Sequence, residues 1–379
     1  MDMNPNILRE LRGRIDEVDA TLVRLLARRR ELVSHVADLK REHGLPVYVP
    51  EREKQLLAER REEAVRHGVS PDMVEDILRR IMRESYQAEE GSGFKTVHPS
   101  AGPIVVIGGG GGMGQAFCRL LRLSNYQVLV LEKDDWDRAD HLFENASLVL
   151  VSVPMDLTLA VIEKLHGRLP QQCVLADLTS VKKMPMEAML KAHAGPVIGF
   201  HPMFGPTTQS LAKQLIVVCH GRDSKACQWV LDQFRLWGVS LQEALPDEHD
   251  RMMGVIQALR HFTTYVYGIL LTEERLDLEK ALQLSSPIYR LELGMVGRLF
   301  AQNPHLYAEI IFQSEEGRRM ARQLYEHFGR QLEFLENDDK QAFETHFHKV
   351  TAWFGDWSKH FLQESSFMIE KVYEKSDRA

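Results

Sequence analysis

The chain has 379 residues, 44% of them hydrophobic and 27% charged, with a net charge of −7. That length calls for two or three domains, and the acidic balance argues against nucleic acid as the main partner. No apolar run approaches the ~18 residues of a membrane span, no signal-peptide pattern opens the chain, and Cys118, Cys173, Cys219 and Cys227 form no C-x-x-C pair, so a reduced, cytoplasmic protein with no membrane partner is expected.

Asn4-Pro5 reads as an N-cap followed by proline at the first helical position. Leu8, Leu11, Ile15, Val18, Leu22, Leu25, Leu26, Val33, Val36 and Leu39 then repeat at helical spacing, and Gly44 and Pro46 supply the stop. A helix of roughly 39 residues is about 58 Å long, whereas a ninety-residue domain is only about 26 Å across. Such a helix cannot bury its stripe alone, so it is expected to pair with a second copy of itself. Two more helices follow, Glu51 to about His67 and Pro71 to about Glu89, the second capped by Ser70. Three helices without a strand make residues 1–90 a separate all-α module.

Most charges on these helices read as solvated surface, but a few are set apart by position. Arg29 and Lys40 lie eleven residues apart, within roughly 20° of each other at about 100° per residue. Arg12 points about 100° away from that face, free to serve the partner of a self-paired helix. Ser85 and Glu89 form an i, i+4 pair facing the same way.

Leu11-Arg12, Ala-Arg-Arg-Arg-Glu-Leu at 27–32, Lys40, Glu51-Arg52-Glu53 and the closing Arg-Glu-Ser-Tyr resemble the all-helical chorismate mutases. The resemblance implies two intertwined chains, with one arginine crossing into each active site. Carried over, Arg12 from the partner, Arg29 and Arg52 grip the two carboxylates of chorismate. Lys40 and Glu89 hydrogen-bond the breaking ether oxygen, and Ser85 assists at the ring hydroxyl. The rearrangement is pericyclic and needs no nucleophile, only electrostatic placement and a compressed substrate. Val49 stands where many members carry aspartate, and Glu89 where many carry glutamine. A glutamate must be protonated to donate to an ether oxygen, so mutase activity is expected to decline as pH rises through its titration.

Glu90 to Gly102 has linker composition. Beyond it, Ile104–Ile107 reads as a buried strand that breaks into glycines and then a helical pattern carrying Met113, Phe117, Leu120 and Leu121. Gly109, Gly111 and Gly114 fit G-x-G-x-x-G. The first glycine permits the tight turn, the second lets a pyrophosphate approach the backbone, and the third lets helix and strand pack closely. Free N–H groups at the helix start suit phosphates. The second strand, Gln127–Leu131, ends in Glu132, about 20 residues on, where an acid binds ribose hydroxyls and repels a 2′-phosphate, so NAD is the expected cofactor. Strands at Leu148–Val153, Val174–Asp177 and Val197–Phe200 alternate with helices, as in a doubly wound parallel sheet of Rossmann type. The tip of the third, Ser152-Val153-Pro154, is expected near the ribose and nicotinamide, with Met113 also on the cofactor. Ser180 ends the next strand at the same crevice, although by type it also reads as a helix N-cap.

Gly199-Phe-His-Pro-Met-Phe-Gly-Pro206 follows the last of these strands. A histidine in a proline- and glycine-rich loop at a strand's carboxyl end is poorly placed as a core residue. This stretch, Ser-Val-Lys at 180–182, Gln-Ala-Leu-Arg-His at 257–261 and Tyr-Arg-Leu-Glu-Leu-Gly-Met-Val-Gly-Arg at 289–298 resemble the prephenate dehydrogenases. With a mutase in front, nearly the whole chain resembles the bifunctional chorismate mutase/prephenate dehydrogenases of tyrosine biosynthesis. The resemblance implies oxidative decarboxylation of prephenate to 4-hydroxyphenylpyruvate with NAD⁺. Hydride loss from ring carbon 4 leaves a developing cation, and loss of CO₂ returns electrons and makes the ring aromatic. Neutral His201 accepts the hydrogen bond of the 4-hydroxyl, so activity should rise with pH through the imidazole titration near ~6.5. Ser180 fixes that geometry, and Arg298 binds a prephenate carboxylate with help from His261 and Lys182. The resemblance further implies feedback inhibition by tyrosine.

Lys213–Cys219 reads as one further strand, followed by an amphipathic helix from Ser224 to Trp237. From about Glu248 onward the pattern is helical, broken at Gly268, Gly294, Gly317 and Pro287 or Pro304. Such a half is expected to close the cleft and form a homodimer, with Trp353, Phe354 and Trp357 in core or interface. No metal-spaced set of His, Cys, Asp or Glu appears. The expected organisation is multidomain: the all-α mutase module at 1–90, a linker at 91–102, an NAD-binding α/β domain at 103–200 and a mainly α-helical substrate-binding and dimerisation domain at 201–379. Two rivals remain at this point, an arogenate dehydrogenase acting on the amino analogue and a regulatory protein that senses NAD and tyrosine without turnover.

Overall fold

The computed structural model describes residues 5–376, so the cap expected at Asn4 lies outside the described residues. The chain divides after Pro246 into two compact units. The first opens with helices α1 (Pro5–His43), α2 (Pro50–Arg66) and α3 (Pro71–Gly91). Proline begins each of α2 and α3, and the Ser70 hydroxyl accepts the Met73 N–H. Gly44 ends α1 at φ +68°. Leu11, Ile15, Val18, Leu22, Leu25 and Leu26 are all exposed in the single chain, and among the described residues of α1 only Ala37 is buried. Among the described residues the long stripe has no cover within its own chain.

The expected linker is instead an ordered strap. Gly93 adopts φ +85° beside the Leu123 carbonyl, Phe94 is buried, its N–H donates to Leu123 O, and Thr96 Oγ1 donates to Ser124 O. The strap leads into β1 (Ile104–Ile107), α4 (Gly112–Leu123), β2 (Val128–Leu131), α5 (Ala139–Phe143), β3 (Leu148–Val151), α6 (Met155–Glu163), β4 (Val174–Asp177), α7 (Lys183–Ala192), β5 (Val197–Pro202), β6 (Leu215–Arg222), α8 (Ser224–Leu236) and β7 (Ser240–Glu243). One seven-stranded sheet results, in the order β2-β1-β3-β4-β5-β6-β7. All neighbours are parallel except β5 and β6. Successive residues of the central strands enter opposite layers: Ile104, Val106, Leu148 and Leu150 join one core, and Val105, Ile107, Val149 and Val151 the other. Burial on both faces explains why these strands read as unbroken apolar runs.

The domain boundary expected at 200 falls inside β5, and the sheet continues to β7. Pro202 stays in the ladder opposite Ile216 because antiparallel β6 returns alongside it. The strand expected from Lys213 starts at Leu215, since Lys213 itself has φ +69°.

The second unit is helical: α9 (Pro246–Met253), a π-helical stretch (Gly254–Leu259), α10 (Arg260–Glu273), α11 (Leu278–Gln283), α12 (Pro287–Phe300), α13 (Pro304–Phe312), α14 (Glu315–Glu336), α15 (Lys340–Phe354) and α16 (Trp357–Ser376). Pro287 and Pro304, expected as breaks, start helices behind the caps Ser286 and Asn303. Gly268, Gly294 and Gly317, expected as breaks, lie within helices instead. A Cβ at Gly268 would overlap the Phe300 ring, and one at Gly317 would overlap Ala258, so these two glycines permit close packing. Trp353 and Trp357 are 80% and 63% exposed, which removes them from the chain's own core.

Candidate active sites

On the helical module, α1 and α3 bring together four of the residues singled out by spacing. Lys40 Nζ donates to Glu89 Oε2 at 2.7 Å, and Arg29 Nη1 donates to Ser85 Oγ at 2.6 Å. The i, i+4 pair on α3 thus meets the i, i+11 pair on α1. Lys40 also donates to Val47 O at 2.8 Å, which pins it to the α1–α2 turn. Glu89 is 6% exposed. Burial raises its carboxyl above the ordinary carboxylate range, and the hydrogen bond and charge of Lys40 only partly oppose that. Arg12 and Arg52 are exposed, without an ion-pair partner among the described residues. Val49, 37% exposed, caps α2 with no side-chain hydrogen bond.

At the carboxyl end of β1 the glycines form a cradle that side chains would fill. Gly108, not Gly109, makes the tight turn, at φ +79°. Gly109 lies against β2, where an added Cβ would come within 2.8 Å of Val130 Cγ2. A Cβ at Gly114 would overlap the Gly108 carbonyl, the close helix–strand approach that the third glycine permits. Gly111 caps α4, and Met113 sits half-buried on its first turn. Glu132 Oε1 accepts the Gly110 N–H at 2.6 Å, so the acid at the end of β2 stands beside the loop. The Ser152 N–H donates to Ile107 O, setting Ser152 and Val153 against Gly108, and Pro154 caps α6. This cradle, with an acid at its rim, fits NAD: small residues line the backbone approach and a carboxylate stands where ribose hydroxyls would bind.

His201 lies within β5, opposite Val217, and is 2% exposed. It is therefore a strand residue, not the loop residue expected, because the sheet continues past it. Ser180 is half-buried and precedes α7, whose cap is Lys182 with no side-chain bond, so Ser180 is not the N-cap. Lys182, expected at a substrate carboxylate, is fully buried. Its ammonium donates to Asp177 Oδ2 at 2.5 Å and to Phe200 O at 2.7 Å, tying β4 to the residue before His201. Thr179 also donates to Asp177 through its N–H and hydroxyl. The second unit carries the other two expected substrate residues. His261 on α10 packs edge-on to Tyr307, and burial followed by the charge of Arg260 lowers its imidazole to about 4. It offers a neutral hydrogen bond rather than a charge. Arg298 is exposed on α12.

Two buried acids escaped the sequence reading. Glu53 accepts from Tyr86 Oη at 2.7 Å, Arg79 Nη1 at 3.2 Å and Lys213 Nζ at 2.5 Å. Glu90 accepts from Ser210 Oγ at 2.5 Å, Leu211 N at 2.8 Å and Ala212 N at 3.3 Å. A carboxylate directly after Glu89, in a helix whose next turn leaves the module, was the signal available. Among the described residues no group of three or more His, Cys, Asp or Glu side chains is arranged to hold a metal ion, and no helix is long and apolar enough to cross a membrane.

Residues 11–90 match the family described as chorismate mutase type II, residues 130–240 the prephenate dehydrogenase nucleotide-binding domain, and residues 245–349 the prephenate dehydrogenase dimerization domain. The T-protein of Enterobacter agglomerans is 52% identical over 365 residues, covering 96% of this chain and 98% of its own length. That of Haemophilus influenzae is 47% identical over 365 residues, with 96% and 97% covered. A crystal structure of prephenate dehydrogenase from A. aeolicus in complex with hydroxyphenyl propionate and NAD+ is similar in fold, with a TM-score of 0.55 at 17% identity over 67% of this chain and 97% of that one. The chain belongs to the T-protein family, bifunctional enzymes that join chorismate mutase to an NAD-dependent prephenate dehydrogenase in one polypeptide.

Proposed function

We propose that the two activities of this enzyme, rearrangement of chorismate to prephenate and its oxidative decarboxylation to 4-hydroxyphenylpyruvate, are carried by the residues named above. The observation that carries the mutase reading is the convergence of Lys40–Glu89 and Arg29–Ser85 between α1 and α3. In this reading, Lys40 and a protonated Glu89 donate to the ether oxygen as its bond to the ring breaks. Arg29, Arg52 and the partner's Arg12 hold the two carboxylates, and Ser85 steadies the ring hydroxyl. Fixed donors placed where negative charge develops are the main source of rate in such a reaction.

In the dehydrogenase, Gly109, Gly111, Met113, Gly114, Glu132, Ser152, Val153 and Pro154 hold NAD⁺, which when bound accepts the hydride. Neutral His201 accepts the hydrogen bond of the substrate 4-hydroxyl, and Ser180 orients that pair. Lys182 works from beneath the sheet: its bonds to Asp177 and Phe200 O hold the β5 backbone next to His201. Arg298 binds a substrate carboxylate, with neutral His261 as a hydrogen-bond donor beside it. The enzyme is a homodimer, supported by the uncovered α1 stripe and the dimerization-domain match. A cytoplasmic location is supported by four unpaired buried cysteines, and tyrosine is the expected feedback inhibitor by family resemblance. The test is direct: chorismate and NAD⁺ are mixed with the protein and NADH absorbance is followed. The native protein makes NADH and the His201→Asn variant does not; equal rates from both would remove His201 from the chemistry.

A further inference from the structure

Helix α3 has two working faces. At about 100° per residue, Ser85 and Glu89 point toward the mutase pocket, whereas Arg79, Arg83, Tyr86 and Glu90 cluster about 100° away around the helix. That second face meets the segment 208–214, which runs from the strand of His201 into β6. Between them lies a cavity of about 490 Å³, lined from the helix by Arg79, Arg83 and Gln87 and from the segment by Gln209, Ser210 and Lys213. Its size is within the ~300–1,000 Å³ of ordinary small-molecule sites.

The walls are held by the two buried carboxylates. Glu53 binds Arg79, Tyr86 and Lys213 together, and Glu90 binds Ser210 Oγ and the N–H groups of Leu211 and Ala212. Both acids are below 8% exposure (Glu53 7%, Glu90 3%), and neither lines the cavity. The lining therefore presents three cations and no carboxylate. Arg79 and Lys213 are partly neutralised from behind by Glu53, and Arg79 also by Glu75. Arg83 is exposed with no carboxylate partner among the described residues. Gln87 and Gln209, hydrogen-bonded to each other at 3.1 Å, add neutral polar groups.

We propose that this cavity is a binding site for a small dicarboxylate of the kind the mutase releases, formed jointly by the mutase helix and the dehydrogenase segment and distinct from both catalytic pockets. The choice of ligand rests on the proposed function. Arg83 supplies the unshared guanidinium for one carboxylate, and Arg79 with Lys213 supplies the shared pair for the second. Occupancy would draw Arg79 and Lys213 away from Glu53. It would be felt on α3 next to Ser85 and Glu89, and on the segment that leaves β5.

The test counts binding sites on the full-length protein. Labelled prephenate without NAD⁺ is titrated onto the parent, Arg83→Gln and Gln209→Ala, with inorganic phosphate as competitor. Each variant is expected to bind one equivalent fewer per chain, or to bind it at least tenfold more weakly, with the mutase KM and the dehydrogenase KM each within twofold of the parent. Equal stoichiometry and affinity in parent and variants would overturn the site. Phosphate displacing the extra equivalent as effectively as unlabelled prephenate would overturn the dicarboxylate assignment. NADH formation from chorismate is scored separately on the parent, so failure of the functional reading is distinguished from failure of the site.

Discussion

Glu89 carries the sharpest pH consequence among single residues. Its carboxyl is raised by burial, and the role proposed for it needs the protonated form. Mutase kcat/KM is therefore expected to fall as pH rises through a group above the ordinary carboxylate range, and Glu89→Gln should flatten that fall while keeping activity. A parent profile already flat would exclude Glu89 as donor. His201→Asn should lower dehydrogenase kcat by about 10²–10⁴-fold, the usual value of a general base, and leave chorismate turnover unchanged. The buried Lys182–Asp177 pair makes a stability prediction. Lys182→Met alone leaves an uncompensated carboxylate and should cost about 3–5 kcal/mol in denaturant unfolding, whereas Lys182→Met with Asp177→Leu should cost much less. Equal losses would mean the pair is not the source.

The elements were legible to different depths for reasons that lie in the chain. The three mutase helices followed from period, and the start of α3 from Ser70 and Pro71, because helix ends are local chemistry. The strands of the sheet up to β6 followed from short apolar runs punctuated by glycine and proline, whereas β7, mostly exposed Ser-Leu-Gln-Glu, has no such run. What escaped was anything set by pairing across distance. Strand β5 continues through His201 and Pro202 only because β6 lies antiparallel beside it, and no local signal in Gly199–Pro206 announces that neighbour. In the same way Lys182, expected at a substrate carboxylate, is buried against Asp177, five residues earlier. Helical glycines misled for a related reason: Gly268 and Gly317 answer to Phe300 and Ala258, not to their own helices. Helix α10 also gives a stability window. The His261 imidazole falls from 6.5 to about 4, so the unfolded chain binds the extra proton between those values and stability is lost as pH falls through that range. Denaturant midpoints at pH 7 and pH 5 should differ less in His261→Phe than in the parent; an unchanged difference would place the titrating group elsewhere.

At the scale of the whole molecule, the uncovered stripe of α1 supports the proposal that each mutase site draws on two chains. Arg12→Ala and Lys40→Ala should each be inactive as mutases. Co-refolding them in equal amounts should restore about a quarter of the parent's specific activity, since half the dimers are mixed and each mixed dimer holds one intact site of two. No recovery in verified mixed dimers would mean that Arg12 serves its own chain.

The strap of residues 92–102 bears on how such a chain is divided or assembled in evolution. Phe94 is buried in the dehydrogenase core, and Glu53 and Glu90 reach out of the mutase helices to satisfy groups on the far side. A gene cut at this junction would yield a mutase in which Glu90 loses its three donors and Glu53 loses Lys213, and a dehydrogenase with an open seam. The fusion is thus no longer a tether between two self-sufficient enzymes. Each module has come to use the other as part of its scaffold, and separating them would require compensating substitutions on both sides of the cut.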